Sequence, residues 1–451
     1  MNPALFELNL LFRTRLAAGA LIFLFFMCIL ALWNGRQSVR GQQEALARIT
    51  AAHDADNSRI TDRLKKAGDA GSAAYYTPHL TWDTPSPLAF AAFGQRDLQP
   101  SALRVRALGL HAQLYESETI NPDLALPGRL DFAFILIYLV PLIITALMHD
   151  LVTSERESRR LRLMQSLPVS QMQLWLRRTG VRALLVFAIT ALPFSVSAWI
   201  AGADIGSVSG VLGISALYIA FWFGLSLLVA ARAGSSASAA AILLSCFVVF
   251  TLVLPTVSNV LITRAVPVAK GIELTLAQRQ EVHQGWDLPK DVTFEKFFLT
   301  HPEWRNTPPV KNAFHWKWYF AMHQAGDDAV SPMAKAYRQS LIQRENLTQL
   351  AGYILPSVSV QTVLHRLANT DLQAYLNHED QIARYHKVLR QYFYPYMFRD
   401  QKFGAAELAA LPRFTPAEPD GGKLPQLYLA TAFLTLIISV IAMQSLRRIR
   451  H

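Results

Sequence analysis

The chain has 451 residues, of which 52% are apolar and 17% are charged, and its net charge is +11. A soluble protein carries about 25% charged residues, and the apolar residues here are concentrated in six runs, each close to the roughly 20 residues that a helix needs to cross a bilayer. This composition excludes an all-soluble enzyme and a disordered chain. With two cysteines, a disulfide scaffold is excluded as well, and the expected fold class is an all-α polytopic membrane protein.

The six runs predict six transmembrane helices and divide the chain into five parts. The predicted spans are 17–33, 132–148, 181–200, 211–230, 239–261 and 427–443. The five parts are the N-terminus with the first span (1–33), a long polar segment (34–131), spans two to five (132–263, with a polar loop at 149–180), a second long polar segment (264–425), and the last span with a short tail (426–451).

The position of the basic residues predicts the orientation. The segments 34–131 and 264–425 hold 11 and 19 basic residues against 11 and 16 acidic ones, whereas the short segments on the opposite face hold 13 basic and four acidic residues. By the positive-inside rule, both termini and the loop 149–180 are expected in the cytoplasm, and both long segments outside it. This arrangement is that of a multi-pass protein of a bacterial inner membrane with two periplasmic domains. Because the basic excess lies beside the spans, nucleic acid is not an expected partner.

Both long segments are expected to be mainly helical. In the first, residues 39–67 are predicted to continue the first span as a helix, 68–87 to form a loop, and 89–93 and 103–115 to form short helices. In the second, residues 327–350 have helical periodicity. A further helix is expected to be capped by Thr370 through a capping box and to end at Pro395.

Three prolines interrupt the predicted spans. Pro141, Pro193 and Pro255 lie in the second, third and fifth spans. A proline removes one backbone donor and bends the helix that contains it. Bent spans suit a protein that moves, although ordinary helix packing also accounts for them.

The loop after the second span combines charge with a short amphipathic pattern. Leu161, Met164 and Leu167 recur at a spacing of three on a basic stretch, and Pro168 stops it. Physical reasoning alone leaves two interpretations open. The stretch is either a lever that transmits a push from a soluble partner, or an interfacial helix whose charges only orient the protein.

The residues of this loop also resemble a known family. The runs Ser154-Glu155-Arg156-Glu157 and Pro168-Val169-Ser170 are similar to the cytoplasmic loop of type 2 ABC transporter permeases, with Arg159-Arg160 in place of the usual Gly-Thr. The runs at 128–134, 367–372 and 392–395 resemble a subgroup of that family that has two large outer loops.

The resemblance implies the permease subunit of an ATP-driven exporter. In that family two permeases, identical or related, pair in the lipid bilayer, and each binds a separate ATPase subunit through the loop. By this resemblance the loop 149–180 is the coupling loop. The residues expected to form the polar contact with the ATPase are Glu155, Arg156, Glu157 and Arg160. The residues expected to shape the coupling helix are Leu163, Pro168 and Val169.

No chemistry is expected on this chain itself. It lacks the G-x-x-x-x-G-K-[ST] phosphate loop, so ATP and Mg²⁺ are expected to be used by the partner subunit, with no cofactor and no catalytic residue here. Its 12 histidines form no H-E-x-x-H motif, so no metal site is predicted. The near absence of ionisable residues from the spans disfavours an ion-coupled carrier.

Two rival function classes remain open. One is a membrane-anchored enzyme that acts through its outer domains, for which the sequence shows no paired-carboxylate, nucleophile–base or metal signature. The other is a ligand-binding sensor or scaffold, which the small cytoplasmic part disfavours. The aromatic group at 314–320 is interpreted as buried core, with a substrate route or an interfacial position as the alternatives.

Overall fold

The computed structural model describes residues 3–94, 100–115, 130–161, 170–268, 271–418 and 422–448. These residues are mostly helical. The helices outside the apolar runs are Pro3–Arg13, Ala70–Tyr76, Leu110–Tyr115, Thr153–Glu157, Gly271–Gln284, Lys290–Thr300, Pro302–Trp304, Trp316–Gly352, Pro356–Leu367, Leu372–Phe398 and Ala405–Ala409. The strands are His79–Trp82 and Ala102–Val105.

Among the described residues, six helices are long and apolar enough to cross a membrane. We number these apolar helices one to six along the chain. They are Arg15–Leu64, Phe132–Glu157, Gln171–Ile200, Ile205–Arg232, Ser236–Ala265 and Pro425–Arg447. Each contains one of the predicted runs, and together they indicate a membrane protein.

The second and fourth apolar helices form the centre of the bundle. In the most apolar 18-residue stretch of each, 67% and 72% of the residues are buried, whereas a third or less are buried in the other four helices. The first helix is continuous from Arg15 to Ala67, so that at 1.5 Å per residue it extends for about 80 Å. Its second half leaves the apolar bundle, which confirms the prediction that residues 39–67 continue the first span as a helix.

The two long polar segments share their hydrophobic cores. One core joins Ala73 and Ala107 of the first segment to Phe297, Phe393 and other aromatic residues of the second. Another core joins residues of both segments around Leu389. The two predicted domains are therefore one packed unit, which we call the polar domain. The physical reason is that the short elements of the first segment cannot bury their apolar sides against one another.

The first polar segment departs from its predicted local structure. The predicted loop 68–87 contains the helix Ala70–Tyr76, which Asp69 caps by accepting hydrogen bonds from two backbone N–H groups, and the strand His79–Trp82. This strand pairs antiparallel with Ala102–Val105, so the predicted helix 103–115 is helical only from Leu110. Pairing between segments 20 residues apart overrides the local pattern here.

The predicted ends of the helix Leu372–Phe398 are both wrong. Asp371, not Thr370, caps its N-terminus by accepting the N–H of Ala374 at 3.1 Å, while the Thr370 hydroxyl donates to the carbonyl of Ala92 at 2.8 Å. Pro395 lies inside the helix. The helix continues past the proline because the residues that follow it, Met397 and Phe398, are packed in the core of the polar domain.

The polar domain is joined to the bundle where two of the short sequence signatures meet. Asp131 accepts the N–H of Phe134 at 2.8 Å, which caps the second apolar helix, and its other oxygen accepts the N–H of Phe93 at 3.1 Å. Thr370 also holds the loop that contains Phe93, because its hydroxyl donates to the carbonyl of Ala92. Of the run 128–134, residues 128 and 129 lie outside the described residues.

A buried carboxyl group links the two segments of the polar domain. Asp327, in the helix Trp316–Gly352, accepts the backbone N–H groups of Leu110 and His111. Burial raises the pKa of Asp327 from 3.8 to about 7, an effect that Asp328 reinforces and the Arg390 guanidinium opposes. The folded state therefore keeps this proton over a pH range in which the unfolded chain loses it.

We expect the stability of the polar domain to fall as the pH rises from about 4 to about 7, by at most about 1.4 kcal/mol per pH unit from this group. Asp327→Asn should flatten that dependence, because the amide does not titrate, although it keeps only one of the two oxygens that accept N–H groups. Thermal unfolding of the purified chain between pH 5 and pH 8 measures the two slopes. Identical pH slopes for the two proteins would contradict the assignment.

Candidate coupling site

The predicted coupling residues that the structure describes lie at one end of the apolar bundle. Glu155, Arg156 and Glu157 are in the helix Thr153–Glu157, and Arg160 follows in the next turn. We call this the basic end, because the short basic segments lie there and the polar domain lies at the opposite end. The predicted residues Leu163, Pro168 and Val169 lie outside the described residues.

The turn after the short helix keeps a glycine-like backbone. Arg159 has φ +60°, in the left-handed region where glycine is favoured and where a larger residue costs about 1 kcal/mol. It occupies the position at which the resembled loops have glycine. Arg159 thus replaces the usual glycine without a change to the backbone conformation that glycine favours.

Glu155 belongs to a network of ion pairs. Its carboxylate lies 3.0 Å from Arg160 Nε and 3.2 Å from Arg178 Nη1. Arg178 in turn lies 3.4 Å from Glu7, which also pairs with Arg177 at 3.0 Å. We call these five residues the charged hub; it ties the N-terminal helix Pro3–Arg13 and the third apolar helix to the short helix.

Arg156 and Glu157 hold the turn between the fourth and fifth apolar helices. The Arg156 guanidinium donates to the carbonyls of Ala231 and Ala233 at the end of the fourth helix, where carbonyls lack partners within the helix. The Glu157 carboxylate accepts the N–H of Ser236 at 2.8 Å and its hydroxyl at 3.1 Å. A carboxylate at a helix N-terminus is electrostatically favourable. We call these contacts the turn clamp.

The hub and the turn clamp together connect the ends of five helices. The short helix Thr153–Glu157 continues the second apolar helix. Through the hub it contacts the N-terminal and third helices, and through the turn clamp it contacts the fourth and fifth helices. The side chains predicted to face a partner are therefore engaged within the chain. Glu157 and Arg160 are exposed, and 63% of the Arg160 side chain is accessible. A force applied here acts on most of the bundle at once.

The sequence did not single out the internal partners of this site. Glu7, Arg177, Arg178 and Ser236 belong to no motif in the sequence. A signal existed for Glu7, because it is the one acidic residue before the first span, and it is buried. Its pairing with two arginines 170 residues away required the tertiary structure.

Two of the three prolines follow π-helical segments. Pro141 comes just after the π-helical segment Ile135–Leu139, and Pro255 just after Val248–Val253. Such wide turns occur where the regular hydrogen bonding of a helix is interrupted. Pro193 lies within the α-helix Gln171–Ile200. The second and fifth apolar helices thus each have an irregular segment that ends two residues before a proline.

Across the described ranges, no group of three or more His, Cys, Asp or Glu side chains is placed to hold a metal ion. The aromatic group at 314–320 contributes Trp318 and Phe320 to buried clusters. It starts the helix Trp316–Gly352, whose other end packs on Leu427 of the sixth apolar helix. Since this helix has 37 residues, its aromatic end lies about 50 Å along the helix axis from that contact.

Comparison with known proteins concerns the polar domain. Among curated proteins, none matches the chain. Residues 272–417, about a third of the chain, are similar to a family described as a domain of unknown function, DUF3526. The match lies within the second polar segment and includes Asp327 and the helix Leu372–Phe398.

Proposed function

We propose that this chain is the permease subunit of an ATP-driven ABC exporter, and that its ATPase partner binds at the loop that carries Glu155, Arg156, Glu157 and Arg160. The observation that carries the proposal is the geometry of Glu155, Arg156 and Glu157. These residues match the resembled coupling loop and connect the ends of five helices. Contact between a soluble subunit and this site would move the bundle as a unit, which is what coupling of ATP hydrolysis to transport needs.

The proposal places the basic end in the cytoplasm and the polar domain in the periplasm of a bacterial inner membrane. Both termini are then cytoplasmic. The support is the charge asymmetry: the short basic segments meet at one end of the bundle, and the polar domain packs on the other. ATP and Mg²⁺ are used by the partner subunit, and this chain contributes the membrane path and the coupling contact.

The proposal also includes a second permease, identical or related. The fifth apolar helix is the least covered of the six, with 22% of its apolar window buried. A groove of about 330 Å³ on this helix is lined by Ala241, Ile242, Ser245, Cys246, Val249 and Phe250. Small side chains allow close approach between helices in a membrane, so this face suits contact with another permease.

The orientation is tested with two single-cysteine variants in a Cys28→Ala, Cys246→Ala background. Leu299→Cys lies on the polar domain at a position 79% exposed, and Arg160→Cys lies at the basic end. In spheroplasts a membrane-impermeant maleimide should label the first and should label the second only after lysis. The reverse pattern would contradict the proposal.

Partner binding is tested with the same pair of positions. A photo-crosslinker on Arg160→Cys should attach to a polypeptide that carries its own phosphate-binding loop and hydrolyses ATP. The crosslinker on Leu299→Cys should not. Failure to capture an ATPase at the first position, or capture at both positions, would favour the enzyme or sensor classes.

A further inference from the structure

A line of polar side chains crosses the centre of the apolar bundle. Tyr218, Trp222 and Ser226 are spaced by four on the fourth apolar helix, so they share one face, and all three are buried. Thr145 of the second helix and Thr251 of the fifth are also buried. We call these five residues the hydroxyl seam.

The seam is anchored at a proline. The Tyr218 hydroxyl donates to the carbonyl of Ile137 at 3.0 Å. That carbonyl lies four residues before Pro141, which has no N–H to donate to it. The contact also sets the alignment of the two helices, which run in the same direction.

Thr145 and Ser226 lie at the same level of the bundle. Thr145 is eight residues after Ile137, and Ser226 is eight residues after Tyr218, the two residues that are in contact. The second and fourth helices stay adjacent beyond that level, since Arg156 reaches the carbonyl of Ala231. The two side chains are therefore at one depth between the seam's anchor and the basic end.

Two polar atoms of the seam, Thr145 Oγ1 and Ser226 Oγ, have no hydrogen-bond partner among the described residues. Trp222 Nε1 and Thr251 Oγ1 have none with regular hydrogen-bond geometry, although both lie close to the Tyr218 hydroxyl. An unsatisfied buried polar group costs about 1–3 kcal/mol. The seam is thus a concentration of unused hydrogen-bonding capacity.

Several other buried hydroxyls in the same bundle are satisfied within their own helices, whereas that of Thr179 in the third apolar helix is not. Ser215 donates to the carbonyl of Val211 at 2.7 Å, Thr190 to Val186 at 3.1 Å, and Thr431 to Leu427 at 2.8 Å. The hydroxyls of Thr145 and Ser226 differ from these although they too lie in α-helical turns. An apolar residue would be less costly at each seam position, so a role beyond packing is indicated.

We propose that the hydroxyl seam binds the polar, uncharged part of the transported molecule. Hydroxyl and indole groups satisfy hydroxyl, amide or ester groups, but an ion would lose its hydration without gaining a counter-charge. The five seam side chains carry no charge. The ligand class rests on the proposed transport function, and it favours a neutral amphiphile over a charged solute.

The fifth apolar helix provides the movable wall. Thr251 lies in its π-helical segment Val248–Val253, where hydrogen bonds are irregular, and the flanking side chains Val249 and Leu252 are exposed on the outside of the bundle. Outward movement of this segment opens the seam toward the face of the fifth helix that we assign to the second permease. Movement at a π-helical turn next to a proline breaks few regular backbone hydrogen bonds, because several are already missing there.

The first test measures whether the seam admits a neutral polar reagent. Ser226→Cys in the full chain without native cysteines should react with methyl methanethiosulfonate about tenfold faster than Ile214→Cys, because a buried position reacts only when its surroundings open. Ile214 is apolar, fully buried and on the same helix. The anionic sulfonatoethyl analogue should label neither position. Equal rates at the two positions, or fast labelling of Ser226→Cys by the anion, would overturn the proposal.

The second test measures stability and does not depend on the cysteine chemistry. Thr145→Val, Ser226→Ala and Thr251→Val, combined, should leave the thermal unfolding temperature unchanged or raised, because each removes an unsatisfied polar group. Thr431→Val should lower it, because that hydroxyl is bonded to Leu427 and Ser359. A lowered unfolding temperature for the triple variant would show a structural role. Neither test requires the ATPase, so they can fail independently of the proposed coupling.

Discussion

Replacing Glu155 and Glu157 together with alanine is expected to weaken coupling to the ATPase subunit at least about tenfold, within the usual range of coupling free energies. The loss of Glu155 removes the ion pair of Arg160 and leaves Arg178 paired with Glu7 alone. The loss of Glu157 removes its hydrogen bonds to the N-terminus of the fifth apolar helix. The site then neither presents its charges to the partner nor transmits a force to the bundle. The measurement is the ATP hydrolysis rate of the reconstituted complex relative to that of the ATPase alone.

Glu7→Gln is the matched control for this experiment. Glu7 pairs with Arg177 and Arg178 of the same hub, but it is buried and offers no surface to a partner. This variant should lower the thermal stability of the bundle while it retains most of the ATPase stimulation in the folded fraction. If the double alanine variant stimulated the ATPase as well as the unaltered chain does, the coupling role of the loop would be refuted.

Gly35→Ala is expected to destabilise the chain by about 3 kcal/mol or more, at the upper end of overpacking effects. Gly35 lies in the first apolar helix where the turn 86–94 crosses it, and a Cβ atom there would overlap the carbonyl oxygen of Phe90. The turn cannot yield easily, since Ala91 accepts the N–H of Ala133 at 3.0 Å. Thermal or denaturant unfolding of the purified chain measures the loss.

Gly41→Ala provides the comparison within the same helix. A Cβ atom at Gly41 would meet nothing within 4 Å, so alanine there should stabilise the helix by up to about 1 kcal/mol through its higher helix propensity. Equal effects at the two positions would mean that the close approach at Gly35 does not exist in solution.

The apolar helices were predictable because their signal is local. A run of about 20 apolar residues cannot be placed anywhere more favourable than in a bilayer or a large core, so each run indicated a helix without knowledge of its neighbours. The continuation of the first helix to Ala67 was equally local. Local rules failed at Pro395, where packing of Phe398 in the core outweighs the cost of a proline within a helix.

The candidate site divides in the same way. The positions of the apolar helices, the concentration of basic residues in the short segments and the motif of Glu155, Arg156 and Glu157 can all be read from the order of residues alone. The folded chain was needed to show that Glu155 pairs with Arg178 and that Glu157 accepts the N–H of Ser236 at the start of the fifth helix. It was also needed to show that the two polar segments form one domain. The reason is that helix formation depends on residues three or four apart, whereas ion pairs and shared cores depend on side chains that only the folded chain brings together.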